Sequence, residues 1–246
     1  MKNKSKFLPY CKRWFRLTEY EDGFLYSLFY KTINLDGIPY MLNVWKNQIE
    51  FHPVTVCQYA LNAYNQKRFD VFLKRVNFLM YKQEQGWLYH YFKPKMWGYA
   101  FKTPWVSSMV QGLFLSCLVR ALALTKDMDY QYMADQVFKT LKSPKVYKKG
   151  FYYEFGTKNP RVLNGHMYTL IGLRDFDQKI PETDLRNFNH YGWSRYDDKH
   201  LIADYHYHRR HQDLYQELYG THYFSSEGCP ELVLRIIHQK IRGVLA

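Results

Sequence analysis

The feature that most constrains the fold is a unit that recurs at intervals of a little over fifty residues. An aromatic, extended segment leads to a proline and then to an apolar helical stretch, with prolines at positions 53, 104 and 160, which are 51 and 56 positions apart. Proline is favourable near a helix start, because the N–H that it lacks would have no partner there. The pattern predicts helices over 54–65, 106–124 and 162–176, and a fourth unit without proline begins near Tyr205.

A second, more polar helical stretch follows each of the first three, over 69–81, 130–142 and 182–190. Two helices per repeat at a nearly constant period predict stacked helical hairpins. Closed into a ring, these would form a mainly α structure, an α/α barrel or toroid. The aromatic segments 86–92 and 150–155 are predicted to be short β-hairpins at one mouth of the ring. The alternative is an irregular helical bundle in which the spacing is accidental.

The chain is predicted to divide at about residue 50. Range 1–50 is interpreted as an N-terminal arm, partly β, because aromatic residues crowd 24–30 and a turn signal follows at Asn34–Gly37. Range 51–246 is interpreted as one toroid domain, since no linker rich in Pro, Gly or Ser interrupts it.

Composition narrows the class of protein. The chain has 246 residues, 47% of them hydrophobic and 23% charged, which is typical of a globular core. The chain has no run of about 18 apolar residues, so no membrane span is predicted. No apolar segment follows the basic start, so no secretory signal is predicted. The four cysteines have no metal-binding or disulfide-framework spacing, so a reducing, cytoplasmic setting is expected, with Cys57 and Cys117 as buried small hydrophobes.

The charge points to a polyanionic partner. The net charge is +13, and the chain contains 24 tyrosines, whose rings stack on sugars or on bases. The positive charge and the aromatic rings are compatible with an acidic polysaccharide, a nucleic acid or an anionic lipid as the partner. Nucleic acid is not expected, because neither a recognised motif nor a basic block accompanies the charge.

Three segments resemble glucuronyl C5-epimerases, which invert uronic acids in heparan sulfate and heparosan. They are FHPVTVCQYAL at 51–61, PWVSSMVQG at 104–112 and VLNGHMYTLIGLRD at 162–175, and a weaker fourth is YHRRH at 207–211. Their order and spacing agree with the family over about residues 40 to 240. The resemblance implies a helical catalytic domain that converts D-glucuronate to L-iduronate within an acidic polymer, heparosan-like or capsular, without a cofactor.

Epimerisation at C5 requires a base on one face of the sugar, an acid on the other and positive groups around the carboxylate. The resemblance implies that Glu154 and Tyr207 are the two proton-transfer groups. Where the family has a tyrosine after the glutamate, this chain has Phe155, which cannot transfer a proton. Tyr152 or Tyr153 is the predicted substitute, and the alternatives are a changed reaction or none.

The same mapping predicts a set of substrate contacts. Lys199 stands where the family has an arginine, and it keeps the charge but loses the bidentate fork. Asn164 could bond a sugar hydroxyl, and Trp105 could stack on a sugar or belong to the core. For Gln111 packing is favoured. The full predicted set of substrate contacts is Tyr153, Asn164, Tyr168, Tyr196, Lys199, His208, Arg209, His211, Trp105 and Gln111.

Other interpretations remain open. Four histidines at 200, 206, 208 and 211 suggest a metal, but the resemblance accounts for the last two without one, so no metal is predicted. A uronate polysaccharide lyase would use the same proton abstraction, and a non-catalytic glycan-binding protein would suit Phe155. A glycoside hydrolase is disfavoured, because only one carboxylate stands out. A homodimer through the arm or through 232–245 is plausible.

Overall fold

The computed structural model describes residues 30–44, 46–94, 98–199 and 201–225. About 47% of the described residues are helical, so the predicted mainly α class is confirmed. The predicted dimer segment 232–245, the aromatic stretch 24–29, Cys11, Cys229 and His200 lie outside the described residues.

The described part contains six α-helices, with small antiparallel β pairs between them. The helices are α1 (Pro53–Asn65), α2 (Phe69–Lys82), α3 (Ser108–Thr125), α4 (Met128–Leu141), α5 (Leu163–Asp175) and α6 (Tyr205–Tyr219). The strands are β1 (Tyr30–Leu35), β2 (Ile38–Asn43), β3 (Gln48–Glu50), β4 (Tyr89–His90), β5 (Trp105–Val106), β6 (Tyr147–Lys148), β7 (Phe151–Tyr152), β8 (Asn189–His190) and β9 (Trp193–Ser194).

Four helices lie side by side in chain order. α1 packs on α3, α3 on α5 and α5 on α6, while α2 packs outside α1 and α3, and α4 outside α3. The first two predicted helical hairpins, α1–α2 and α3–α4, are therefore present. Contact between α1 and α6, which a closed ring would require, is not among the principal helix packings of the described residues. The toroid stays a prediction.

The third unit differs from the prediction. Range 182–190 is not a helix: it is coil, a 3₁₀ turn at Arg186–Phe188 and then strand β8. Phe188 is fully buried in the core, and the Thr183 hydroxyl lies 2.7 Å from His166 Nε2. These tertiary contacts hold the segment out of the helical conformation that its local pattern favours.

Side chains rather than prolines cap most helix starts. Pro53 does occupy the first turn of α1, where His52 Nδ1 accepts from the Thr55 amide. Pro104, however, precedes strand β5, and α3 begins at Ser108, two residues later than predicted, after the Ser107 cap. The Asp204 carboxylate caps α6 by accepting from the Tyr207 amide at 2.9 Å.

The arm contributes a three-stranded antiparallel sheet in the order β1-β2-β3. The predicted turn is present: Asp36 and Gly37 both have positive φ, 51° and 80°, as a tight hairpin turn requires. Ile38 then joins the core beside α1.

Of the predicted hairpins, the one at 150–155 forms in part: β6 pairs with β7, so the hairpin begins at Tyr147 and ends at Tyr152. The segment 86–92 does not fold back on itself. Its strand β4 pairs instead with β5, after an intervening loop.

The crossing of α3 and α5 brings two backbones into direct contact. A β-carbon on Gly112 would lie 2.5 Å from the Thr169 α-carbon, and one on Gly172 would lie 2.6 Å from the Gly112 α-carbon. Only glycine fits at both positions. The Gln-Gly segment of the sequence therefore serves helix packing at this crossing.

Helix α3 has the length and hydropathy of a membrane span, with a mean hydropathy of 1.5 over 18 residues, but 78% of that stretch is buried within the fold. An apolar helix that is buried on all sides is typical of a protein core. Arg120 and Asp175 form a buried ion pair at 2.6 Å between α3 and α5, and Cys57 and Cys117 are buried as predicted.

Candidate active site

Glu154 lies at the centre of the site. It follows strand β7, is only 8% exposed, and its Oε2 accepts no hydrogen bond from the described residues. Burial raises the pKa of this carboxyl to about 8, and the nearby charge of Arg210 opposes part of that rise. A buried carboxyl that titrates near neutral pH is suited to proton transfer.

The first turn of α5 makes room for this carboxyl. A β-carbon on Gly165 would lie 2.5 Å from Glu154 Cβ and 2.9 Å from Glu154 Cγ. Any larger residue at position 165 would therefore displace the glutamate. Glu154 can therefore occupy this position only because the residue after Asn164 is glycine.

Four further side chains form the Glu154 cluster with this carboxyl. Tyr168, Tyr196 and Arg210 interact with it electrostatically, and Tyr207 joins them through its contacts with Tyr196 and Arg210. The Glu154 charge contributes to the raised pKa values of Tyr168 and Tyr196, after burial as the main cause. The rings of Tyr196 and Tyr207 are 4.7 Å apart at 74°. The structure thus brings three predicted tyrosines to the predicted glutamate.

Arg210, rather than the predicted Arg209, is the cation of this cluster. Its guanidinium carbon lies 5.2 Å from the centre of the Tyr207 ring, and its charge lowers the pKa of both Glu154 and Tyr168 against the effect of burial. Arg209 is exposed on α6. Residues three apart share a helix face and residues two apart do not, so the helix phase set by Tyr207 selects Arg210.

Asn164 and Tyr168 occupy one face of α5, four residues apart. Both are buried, and Asn164 Oδ1 accepts no hydrogen bond from the described residues. A buried amide oxygen without a partner is uncommon and is consistent with a ligand or water contact. The predicted substrate contact of Asn164 therefore stays a prediction, next to the Glu154 cluster.

Phe155 packs into an aromatic wall beside the cluster. Its ring meets Tyr99, Phe101 and Trp105 edge to face, at centroid distances of 5.5, 5.3 and 5.5 Å. Trp105 also stacks on His90 at 3.8 Å and donates its indole N–H to the Phe92 carbonyl. The predicted sugar-stacking residue Trp105 is therefore engaged mainly with protein rings.

Tyr99 is a residue of the site that sequence reasoning missed. Its hydroxyl donates to Asp197 Oδ2 at 2.6 Å, and burial followed by the Asp197 charge raises its pKa strongly. Asp197 is fully buried, and its other oxygen accepts from the amides of Lys199 and Leu201 at 3.0 Å. Tyr99 thus ties the aromatic wall to the loop that carries Tyr196 and the exposed Lys199.

His208 and His211, two of the three histidines of α6, bind a shared serine. His208 Nδ1 accepts from the Ser194 amide at 3.1 Å, and its Nε2–H donates to the Ser225 carbonyl at 2.9 Å. His211 Nδ1 lies 2.7 Å from Ser194 Oγ, while its buried Nε2 has no hydrogen-bond partner among the described residues. His208 therefore fixes the β8–β9 hairpin, and only His211 retains a ring nitrogen for another contact.

One comparison with known proteins bears on the identity of this region. Residues 82–192 match the family described as D-glucuronyl C5-epimerase C-terminus. This stretch, the C5-epimerase region, is similar to that family. The match confirms the predicted resemblance.

Within the C5-epimerase region lie Glu154, Phe155, Asn164, Gly165 and Tyr168. Of the remaining predicted site residues, Tyr196, Lys199, Tyr207, His208, Arg209 and His211 follow it in the chain. The structure joins the two sets through the Glu154 cluster.

The structure does not bring Tyr152 or Tyr153 into the Glu154 cluster. Tyr152 packs beside Tyr147, at a ring distance of 4.7 Å, and burial raises its pKa to about 12. Its amide donates to Nδ1 of the buried His166 at 3.0 Å. Tyr153 packs on Phe151, and its carbonyl accepts from the Ser108 amide.

Gln111 is occupied by the protein itself. Its amide hydrogens bond the Gly86 carbonyl and the Thr140 hydroxyl at 2.6 and 2.7 Å, and its Oε1 accepts from the Leu88 amide. This geometry favours the packing interpretation of Gln111 over a substrate contact.

No group of three or more His, Cys, Asp or Glu side chains placed for a metal occurs among the described residues. His200 lies outside them.

Proposed function

We propose that this chain is an epimerase that inverts C5 of D-glucuronate residues within an acidic polysaccharide, heparosan or a related capsular polymer. One observation carries the proposal: the buried Glu154 carboxyl has a pKa of about 8 and an oxygen without a protein partner, inside a C5-epimerase family region. With that pKa, about one carboxyl in ten is ionised at pH 7, so both protonation states are accessible.

In the proposed first step, ionised Glu154 takes the C5 proton. The C–H bond breaks, its electron pair delocalises into the uronate carboxylate, and Glu154 becomes protonated. The carbanion places a second negative charge on that group. Arg210 is the cation that faces Glu154 in the cluster and would stabilise this charge.

In the second step, a tyrosine hydroxyl on the opposite face returns a proton to C5. Tyr207 is the proposed donor, and Tyr196, in ring contact with it, is a second candidate. Exchange of both groups with solvent then restores the starting protonation states. Phe155 contributes no proton, and the tyrosine ring that packs edge to face on it belongs to Tyr99.

The polymeric, acidic nature of the substrate is supported by charge. A net charge of +13 raises the local concentration of a polyanion, and tyrosines at the site supply faces for sugar rings. We also propose that the helical row closes into a toroid whose mouth holds the polymer.

Product analysis tests the reaction. Heparosan is incubated with the protein in D₂O and followed by NMR. Iduronate carrying deuterium at C5 is the expected product. A product with an ultraviolet-absorbing 4,5-double bond would identify a lyase instead, and binding without either product would identify a non-catalytic glycan-binding protein.

A further inference from the structure

A surface cavity of about 280 Å³ lies beside the β6–β7 hairpin. The end of α4, the hairpin and the end of α5 enclose it. It is lined by the apolar side chains of Phe138 and Leu173 and by the polar rim residues Lys142, Tyr147, Tyr152, Gln178 and Lys179. The Glu154 cluster does not line it.

The chemistry of the rim fits an anionic sugar. Lys142, which follows α4, and Lys179, which lies beyond the end of α5, are exposed cations that line the cavity. Tyr147 and Tyr152 present rings 4.7 Å apart at 39°, and Phe138 adds a third ring, which Lys142 Nζ approaches to 4.3 Å. Aromatic faces stack on the C–H surface of a sugar ring, while the ammonium groups bind its carboxylate.

Volume and position agree with a single sugar unit. The cavity is close to the lower end of the range of small-molecule sites, about 300 Å³. Tyr152 is two residues from Glu154, a chain distance of at most about 7 Å. Along the backbone, the cavity therefore lies close to Glu154, the proposed base.

We propose that this cavity is an accessory subsite that binds one uronate unit of the polysaccharide, away from the unit that reacts. The proposal rests on the proposed function for its ligand class. It also gives Tyr152 a place on the wall of a binding cavity, where the sequence had predicted a catalytic group.

The test is the affinity of size-defined heparosan oligosaccharides, from disaccharide to decasaccharide, measured by calorimetry at low salt. The test variant is Lys142→Gln with Lys179→Gln. The matched control is Lys31→Gln with Lys74→Gln, which removes the same charge from exposed positions on β1 and α2. An oligonucleotide of equal charge serves as a second ligand.

For the decasaccharide we expect the cavity variant to bind about three- to thirtyfold more weakly than wild type, because two partly exposed ion pairs are lost. The control variant should lose less than about threefold. The gain in affinity with oligosaccharide length should also flatten in the cavity variant only. Equal losses in both variants, or an equal loss for the oligonucleotide, would overturn the proposal, because no sugar would then be recognised at the cavity.

The two proposals fail differently. If wild type exchanges C5 protons but the cavity variant binds every oligosaccharide normally, the subsite is wrong and the proposed function stands. If wild type neither exchanges nor binds heparosan, the proposed function fails, and the subsite fails with it.

Discussion

The side chain of Glu154 lies directly on the α-carbon of Gly165, at the first turn of α5. A β-carbon at position 165 would lie 2.5 Å from Glu154 Cβ, which is too close for two non-bonded carbon atoms. The proposed base, Glu154, therefore occupies its position because Gly165 on α5 has no side chain.

Gly165→Ala is predicted to reduce C5 exchange by at least about tenfold, because the new methyl group displaces Glu154. Alanine favours the helix by about 1 kcal/mol, so the free energy of unfolding should fall only modestly. Gly172→Ala offers a contrast: its β-carbon would meet the Gly112 backbone, which cannot move aside, and should cost more stability.

The contact itself is tested by a double variant. Gly165→Ala combined with Glu154→Gly, which removes the β-carbon that the new methyl group would meet, should be more stable than the sum of the single changes, as measured by urea unfolding. Strict additivity would show that the two positions do not collide.

The two arginines of α6 provide a matched pair. Arg210→Gln removes the charge that lowers the Glu154 pKa, so that pKa rises further and exchange requires a higher pH. We expect the pH midpoint of kcat/KM to move up in Arg210→Gln and to stay in Arg209→Gln. Equal movement in both variants would contradict the assignment of Arg210 to the cluster.

Stability should depend on pH through Glu154. Its pKa rises from 4.5 in the unfolded chain to about 8 in the fold, so the native state binds more protons between these values. This carboxyl therefore weakens the fold progressively as the pH rises from about 4.5 to 8, by at most about 5 kcal/mol.

Glu154→Gln removes that penalty. Denaturant unfolding should show the variant to be more stable than wild type at pH 8 and similar to it near pH 4.5. Glu84→Gln, at an exposed position, should follow wild type at both. A stability difference that does not change with pH would mean that Glu154 titrates normally.

The hydroxyl of Tyr99 has a surface counterpart. Tyr99 donates to the buried Asp197, whereas Tyr91 donates to the exposed Glu84 at 2.8 Å. Tyr99→Phe leaves a buried carboxylate oxygen without its donor and should cost about 1–3 kcal/mol. Tyr91→Phe should cost much less.

Exchange should also slow in Tyr99→Phe, because Asp197 anchors the loop that carries Tyr196. Thermal unfolding and C5 exchange measured on both variants check this. A Tyr99→Phe protein with wild-type stability and rate would show that the Asp197 loop does not need this hydroxyl.

Most of the helices could be predicted from the sequence, because apolar residues and turn signals bound them locally. The expected ranges for α1 to α5 agree with the observed ones within two residues, and the turn at Asp36 and Gly37 is where the pattern places it. Range 182–190 is the exception. There the burial of Phe188 and the contact between Thr183 and His166 override a polar helical pattern.

The centre of the site could be predicted only through the resemblance, which led to Glu154 and Tyr207. Local spacing could also have found Arg210, since it lies three residues after Tyr207 on the same helix face. Tyr99 could not be found this way. Its partner Asp197 is 98 positions away, and nothing in the surrounding sequence indicates the contact.

The central claim is that Glu154 moves the C5 proton. The most direct measurement is the rate of deuterium incorporation at C5 of heparosan in D₂O near pH 8, for wild type, Glu154→Gln and Glu84→Gln. We predict incorporation in wild type and Glu84→Gln, and a loss of about a hundredfold or more in Glu154→Gln. Undiminished incorporation in Glu154→Gln would contradict the claim and assign the proton transfer to another group.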